Sequence, residues 1–250
     1  MQLHLKRYWT INLSLLLIFL SVSLYFIHYL IFRDTYHIFK YLVGELAFLP
    51  IEVLLVSIIL QRLLDEREKH VMLKKLNMVI GAFFSEVGNR LLKYFSSFDS
   101  NSQELEKNLI IKNNWLRKDF IKAEAYIKDR SFNITIKSND DIEHLYIFLL
   151  ERRDFLLRLL ENPNLLEHES FTELLWAVFH LSEELIVRKD LRQISKADSE
   201  HLSNDIKRAY NSLILEWLQY MRYLSKDYPY LFSLAIRTNP YDLNASPEIR

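Results

Sequence analysis

The sequence predicts an all-α protein: a two-span transmembrane helical hairpin, then a long connecting helix and a cytoplasmic helical bundle. The first observation is that only 3 glycines and 5 prolines occur in 250 residues, where average usage gives about thirty, and helix interiors exclude both residue types. The second is that the first 60 residues carry only four basic and three acidic side chains. The third is that apolar residues beyond them recur at steps of three and four, which is typical of amphipathic helices.

The first predicted element is a membrane span over about residues 10–32. Residues 11–32 form a run of 22 positions without a charge, which as a helix measures about 33 Å and exceeds the hydrocarbon core of about 30 Å. A cleaved signal peptide is the alternative, because Lys6 and Arg7 precede the run and a small-x-small site ends at Ser23. The apolar run continues for nine residues past Ser23, which favours the span.

A second span is predicted over about residues 38–60, so that residues 1–62 comprise the N-terminal tail and the hairpin. The five residues 33–37 leave room only for an antiparallel connection. Excess Lys and Arg mark the cytoplasmic side, and they are most frequent after the second span (Arg62, Arg67, Lys69, Lys74 and Lys75). We therefore expect both termini in the cytoplasm and a multi-pass protein with the lipid bilayer as a partner.

Three polar side chains fall inside these spans: His28, Glu45 and Glu52. A charge near the bilayer centre costs about 2.5–3.5 kcal/mol on insertion scales, so such residues are candidates for function. One hypothesis is a proton or ion pathway through an oligomer. The other, which we favour, is a structural role around the helix kink at Pro50, because two spans enclose no pathway unless several copies assemble.

Residues 63–98 are predicted to form a long amphipathic connecting helix. Gly81 and Gly88, with Ser85 between them, form a row of small residues on it. Glycine costs about 1 kcal/mol in a helix interior, so we expect close packing of a second helix there, or else a flexible joint. The predicted apolar stripe is Leu73, Leu76, Ile80, Phe84, Val87, Leu91, Tyr94 and Phe98.

Residues 99–237 are predicted to form the cytoplasmic bundle, and residues 238–250 an irregular tail with Asn-Pro and Ser-Pro pairs. Four principal helices are expected. They cover about residues 101–130, 139–161, 171–190 and 198–224.

The composition excludes several function classes. There is no cysteine and no G-x-G sequence, so disulfides, thiolate metal sites and glycine-rich phosphate loops are ruled out. Basic and acidic residues balance at 32 each, which disfavours a nucleic-acid partner. We assign no cofactor and no catalytic residue.

Metal ligation is the strongest enzyme-like pattern in the sequence. His180 with Glu183, and His201 with Asp205, are spaced to share one helix face, and such pairs facing each other in a bundle hold metal ions. Asp141 and His144 form a third pair. The repeated Glu-x-x-His of ferritin-like sites is absent, so ordinary hydrogen bonding is the favoured interpretation of these histidines.

The favoured function is a membrane-anchored interaction or signal-coupling protein, homo-oligomeric, with a cytoplasmic protein partner of unknown identity. We assign no enzymatic activity. Two alternatives stay open. One is an oligomeric proton or ion pathway that uses Glu45 and Glu52, and the other is a metal-dependent helical-bundle enzyme.

Overall fold

A computed structural model of the protein describes residues 2–136, 138–188, 190–191 and 194–248. Within these ranges the chain is helical and holds no strand, only an isolated antiparallel bridge between Asp99 and Ile134. The prediction of an all-α protein is confirmed. The chain divides into two compact units, Met1–Glu68 and Lys69–Arg250.

The first unit contains helix α1 (Gln2–Phe32) and the beginning of helix α2 (Thr35–Phe83). By length and composition alone, both helices are apolar enough to cross a membrane. From Leu13 to Leu64 their large apolar side chains are exposed, with Phe19 at 72%. An exposed apolar surface of this kind marks a site of contact with another protein or with lipid.

The connection between α1 and α2 is shorter than predicted. Arg33 adopts a left-handed φ of 49° after the last turn of α1, and its backbone N–H donates to the carbonyl of Tyr29. Asp34 then caps α2 by accepting a hydrogen bond from the backbone N–H of His37 at 3.0 Å. Because Asp34 supplies this cap, α2 begins at Thr35 and the connection has two residues where five were expected.

In the second unit the helical path runs to Phe98, as the sequence predicts, but with a change of winding. The end of α2 is followed by a π-helical turn, Phe84–Gly88, and by α3 (Asn89–Phe98). The predicted stripe is buried or half-buried except at its first residue, because Leu73 is 43% exposed. A second set of side chains joins the buried face: Phe83, Leu92 and Phe95.

The remaining helices pack around the longest of them, α8 (Lys196–Asp227), which contacts α3, α5, α7 and α9, while α6 packs on α7. A 3₁₀ turn, Pro163–Glu167, precedes α7. The other bounds are α4 (Ser102–Leu109), α5 (Arg117–Asp129), α6 (Asn139–Leu160), α7 (Glu169–Ile186) and α9 (Pro229–Arg237). The largest fully buried side chains are Trp217, Tyr210, Phe83, Phe84, Phe95, Phe98, Phe120 and Phe171.

The prediction of one helix over residues 101–130 is wrong, because α4 and α5 are separate. The carbonyl of Leu109, at the end of α4, accepts a hydrogen bond from Nδ2 of the buried Asn239 at 2.9 Å. Ile111 is also buried, and the backbone N–H of Leu116 donates to Oδ2 of Asp119 at 2.8 Å to begin α5. These contacts hold the backbone out of the helical path.

A buried ion pair fastens the end of α5 to the segment before α4. Arg130 Nη2 lies 3.3 Å from Asp99 Oδ2, and both side chains are almost fully buried. The same guanidinium donates to the carbonyl of Asn101 at 2.8 Å and to Glu104 at 3.1 Å. We refer to this group as the Arg130 clasp.

Candidate functional site

Two histidines and two carboxylates meet where α7 packs against α8. His201 Nε2 lies 3.3 Å from Asp205 Oδ2, and His180 Nε2 lies 3.6 Å from the same oxygen. Glu184 approaches from the other side, with Oε2 at 3.6 Å from His201 Nε2 and Oε1 at 3.9 Å from His180 Nε2. We refer to these four residues as the histidine–carboxylate cluster.

Each carboxylate of this cluster shares one oxygen with an arginine. Arg188 Nη1 donates to Glu184 Oε2 at 2.7 Å, and this hydrogen bond holds the pKa of Glu184 below its usual value. Arg208 Nη2 lies 3.5 Å from Asp205 Oδ1. The hydrogen bond from Arg188 thus orients the Glu184 carboxylate and keeps it ionised, while Arg208 places a positive charge beside Asp205.

The structure brings together three of the four residues singled out as metal candidates in the sequence: His180, His201 and Asp205. The fourth, Glu183, turns toward α6 and accepts a hydrogen bond from Arg153 Nε at 2.8 Å. Its neighbour Glu184 lies next to the two histidines instead. Sequence reasoning missed Glu184, although its i, i+4 spacing from His180 puts it on the same helix face.

The other metal candidates lie apart from this cluster. Asp141 and His144 are on α6, and both side chains are exposed.

The small residues of the connecting helix lie in three different environments. A Cβ added at Gly81 would lie 3.0 Å from Tyr220 Oη on α8, so a second helix does approach closely at this position. A Cβ at Gly88 would instead meet the rings of Phe83 and Phe84, from its own helical stretch. Ser85 between them is exposed.

The polar candidates of the two predicted spans lie in the first unit, where Glu45 and Glu52 are exposed and His28 is half-buried. Glu45 and Glu52 line a groove of about 690 Å³ on α2, together with His37 and Lys40. His28 lies on α1 with its ring 4.7 Å from that of Phe32, and its Nδ1 makes no hydrogen bond among the described residues.

A second group that sequence reasoning missed lies in a cavity of about 510 Å³ beside α8. Glu216 lines this cavity and is only 2% exposed. Burial raises its pKa, although Ser170 and His168 counteract part of the shift. Its position next to Trp217 within an apolar helix face is the signal that marks it as buried.

We expect Glu216→Gln to stabilise the protein at neutral pH but not in acid. A carboxyl whose pKa is raised by folding supports stability below its unfolded value of about 4.5, and that support is lost as the pH rises through the folded value. Glutamine does not ionise, so the variant does not lose this stability as the pH rises. Thermal melts at about pH 4 and about pH 8 should show a gain in melting temperature only at the higher pH.

The exposed Glu173 on α7 provides the control, because Glu173→Gln removes one surface charge without changing a buried one. An equal gain for Glu216→Gln at both pH values would show that ionisation of Glu216 is not the cause.

These features define a class: an all-α protein with an apolar helical N-terminal segment and a helical bundle that carries a histidine–carboxylate cluster. The chain belongs to the family described as "Uncharacterized protein MJ1433, C-terminal helical domain", whose model matches residues 72–237. A second family model, "MJ1433, N-terminal helical domain", matches residues 4–64. The chain is also similar to "Uncharacterized protein MJ1433" of Methanocaldococcus jannaschii. The two are 48% identical over 237 residues, which is 95% of this chain and 94% of the relative. No solved structure matches the chain.

Proposed function

We propose that the protein is anchored in a membrane by two spans and that its helical bundle acts on the cytoplasmic side as an interaction or signal-coupling domain. The observation that carries this proposal is the exposure of large apolar side chains from Leu13 to Leu64. A soluble chain rarely exposes a contiguous apolar surface of this length. Lipid covers such a surface without further protein contacts.

The distribution of positive charge supports the orientation. Arg62, Arg67 and Lys69 follow the second span closely, and short segments rich in Lys and Arg stay on the cytoplasmic side. With two spans, the N-terminus is on that side as well. The hairpin between Phe32 and Thr35 then faces outward.

The coupling part of the proposal rests on α2, which runs without a break from Thr35 to Phe83. Its last turns include Gly81, over which Tyr220 of α8 packs closely. A displacement of this helix would reach α8 through that contact, since close-packed elements move together. A homo-oligomer in the membrane is the arrangement through which we expect such a displacement to be regulated.

Membrane insertion and orientation are tested on the full chain. We expect it to stay with the membrane fraction after alkaline carbonate extraction and to require detergent for release. A fluorescent protein active only in the cytoplasm should be bright when fused after residue 250. The matched fusion at Asp34, in the predicted external turn, should be dark and should instead give activity with alkaline phosphatase.

Recovery of the full chain in the aqueous fraction without detergent would refute the anchor. The opposite pattern of the two fusions would refute the orientation while leaving the anchor intact.

The groove on α2 favours a second candidate function, an oligomeric proton or ion pathway. It places Glu45 and Glu52 in one concavity of about 690 Å³ with His37 and Lys40. Intramembrane acids that line a cavity commonly mark ion routes. Here the spans of several copies would have to surround the acids.

Flux in proteoliposomes decides this second candidate. We expect proton or cation flux from the parent protein that Glu52→Gln abolishes. Ser57→Ala, at an exposed polar position five residues further along α2, should leave the flux unchanged. Absence of flux in the parent, or an unchanged flux in Glu52→Gln, would refute it.

A further inference from the structure

We infer that the histidine–carboxylate cluster (His180, Glu184, His201 and Asp205) binds one divalent transition-metal ion. The inference concerns the helical bundle alone and goes beyond the proposed membrane anchoring.

Four distances between the ligand atoms lie close to those of a tetrahedral site. Metal–nitrogen and metal–oxygen bonds of about 2.0–2.2 Å place neighbouring ligand atoms of a tetrahedron about 3.3–3.6 Å apart. The two imidazole nitrogens lie 3.3 and 3.6 Å from Asp205 Oδ2. Their distances to the Glu184 oxygens are 3.6 and 3.9 Å, and the ligand atoms of His180, Glu184 and His201 all lie within 4.8 Å of one another. The two Glu184 distances involve different oxygens, so binding requires this carboxylate to present one oxygen to the ion.

Asp205 provides an independent indication of a ligand. Its side chain is only 3% exposed, and its Oδ2 accepts no hydrogen bond from the described residues, although both histidines are near. At 3.3 Å, His201 is close enough to donate but not oriented to do so. A buried carboxylate oxygen without a hydrogen bond is costly. A cation placed between this oxygen and the two imidazole nitrogens satisfies all three atoms at once.

The donor set selects the metal class. Two imidazoles with carboxylate oxygens suit Zn²⁺, Co²⁺, Fe²⁺ or Ni²⁺, whereas Mg²⁺ and Ca²⁺ prefer oxygen ligands throughout. The two arginines offset the negative charge of the two carboxylates. The imidazoles therefore supply most of the selectivity for transition metals over Mg²⁺ and Ca²⁺. The histidine side chains are about half exposed, at 47% and 53%. The ion therefore has an entry path from solvent.

The arginines act as positioning groups. Arg188 holds Glu184 through Oε2 and leaves Oε1 toward His180. Arg208 lies next to Asp205 Oδ1 and leaves Oδ2 toward both histidines. Outer contacts of this kind orient metal ligands and are worth about 10–100-fold in affinity.

The test uses the full chain in detergent, carrying a purification tag without histidine and dialysed against a chelator. Co²⁺ is titrated by calorimetry and by visible absorption, in which tetrahedral Co²⁺ gives an intense band, and Zn²⁺ is then added as competitor. We expect one Co²⁺ per chain with a tetrahedral spectrum that Zn²⁺ abolishes. His180→Ala and His201→Ala should each weaken binding by at least about tenfold.

The chain offers two matched controls. His144→Ala removes an exposed histidine from α6 and should leave binding unchanged. Glu183→Gln and Glu184→Gln alter adjacent residues, of which only Glu184 faces the cluster, so only Glu184→Gln should weaken binding. Circular dichroism of the metal-free variants verifies that each is folded.

Failure of the parent to take up one Co²⁺ per chain would overturn the inference and leave simple histidine–carboxylate ion pairs. Parent-like affinity in folded His180→Ala and His201→Ala would also overturn it. These outcomes are independent of membrane insertion, because the fusion and extraction experiments do not involve the cluster.

Discussion

Arg130→Met is expected to destabilise the second unit by about 3–5 kcal/mol, the cost of removing one partner from a buried ion pair. The side chain of Asp99 is fully buried 3.3 Å from Arg130 Nη2. After the substitution the buried Asp99 carboxylate no longer has the Arg130 guanidinium beside it. Methionine retains much of the aliphatic packing beside Phe132, whose ring lies 5.6 Å from the guanidinium carbon. The loss therefore reports mainly on charge and hydrogen bonding.

Arg153→Met is the matched control. Arg153 forms an ion pair with Glu183 at 2.8 Å, but both side chains are more than a third exposed, and such surface pairs contribute about 0–1 kcal/mol. Denaturation is followed by tryptophan fluorescence, since Trp115, Trp176 and Trp217 all lie in the second unit. Equal losses for the two variants would show that the Arg130 clasp is no stronger than a surface pair.

A double substitution separates charge from packing. In the parent, Asp99 Oδ1 accepts a hydrogen bond from the backbone N–H of Asn101 at 3.1 Å. Asparagine at position 99 removes the buried charge but still has an oxygen that can accept this hydrogen bond. We expect Arg130→Met with Asp99→Asn to be more stable than Arg130→Met alone, because an uncompensated charge is the larger part of the cost.

Gly88→Ala is expected to cost about 2 kcal/mol, although alanine is the better helix former. The new Cβ would lie 2.5 Å from Phe84 Cδ1 and 3.0 Å from Phe83 Cε1. Neither ring is free to move, because Phe83 packs edge-on against Phe171 at 5.2 Å and Phe84 stacks on Tyr220 at 5.2 Å. Overpacking costs up to about 3 kcal/mol. Alanine gains about 1 kcal/mol in helix propensity, so the net loss is about 2 kcal/mol.

Two further variants isolate the cause. Gly81→Ala places its Cβ 3.0 Å from Tyr220 Oη. This approach is less close than the 2.5 Å to Phe84 Cδ1 at Gly88, so we expect a smaller loss. In a Phe84→Leu background, Gly88→Ala should cost at least about 1 kcal/mol less than in the parent. An unchanged cost in that background would exclude the clash with Phe84 as the reason.

The helical class and most helix positions could be predicted because they depend on composition and local periodicity. The π-helical turn at Phe84–Gly88 could not. The turn contains no proline, and the predicted apolar stripe runs through it at Phe84 and Val87, both of which are buried. The apolar pattern therefore does not reveal the change of winding.

The break between α4 and α5 also depends on distant residues. Residues 101–130 keep a helical pattern, and the hydrogen bond that ends α4 comes from Asn239, 130 positions away. No local signal indicates this partner.

The histidine–carboxylate cluster was partly predictable. Helix spacing alone placed His180 on one face of its helix and His201 and Asp205 together on the next. Spacing does not distinguish Glu183, which the sequence analysis named, from Glu184, because both lie about one turn from His180. Two arginines decide between them: Arg153 on α6 donates a hydrogen bond to Glu183, and Arg188, just after the end of α7, donates one to Glu184.

The hydrogen bond from Asn239 to Leu109 has a consequence for biosynthesis. A ribosome adds residues from the N-terminus onward, so the C-terminal end of α4 emerges long before the side chain that completes its hydrogen bonding. Tyr241, which packs against Trp217 with ring centroids 5.4 Å apart, is made later still. The nascent bundle therefore stays open at this end until Asn239 and Tyr241 have left the ribosome.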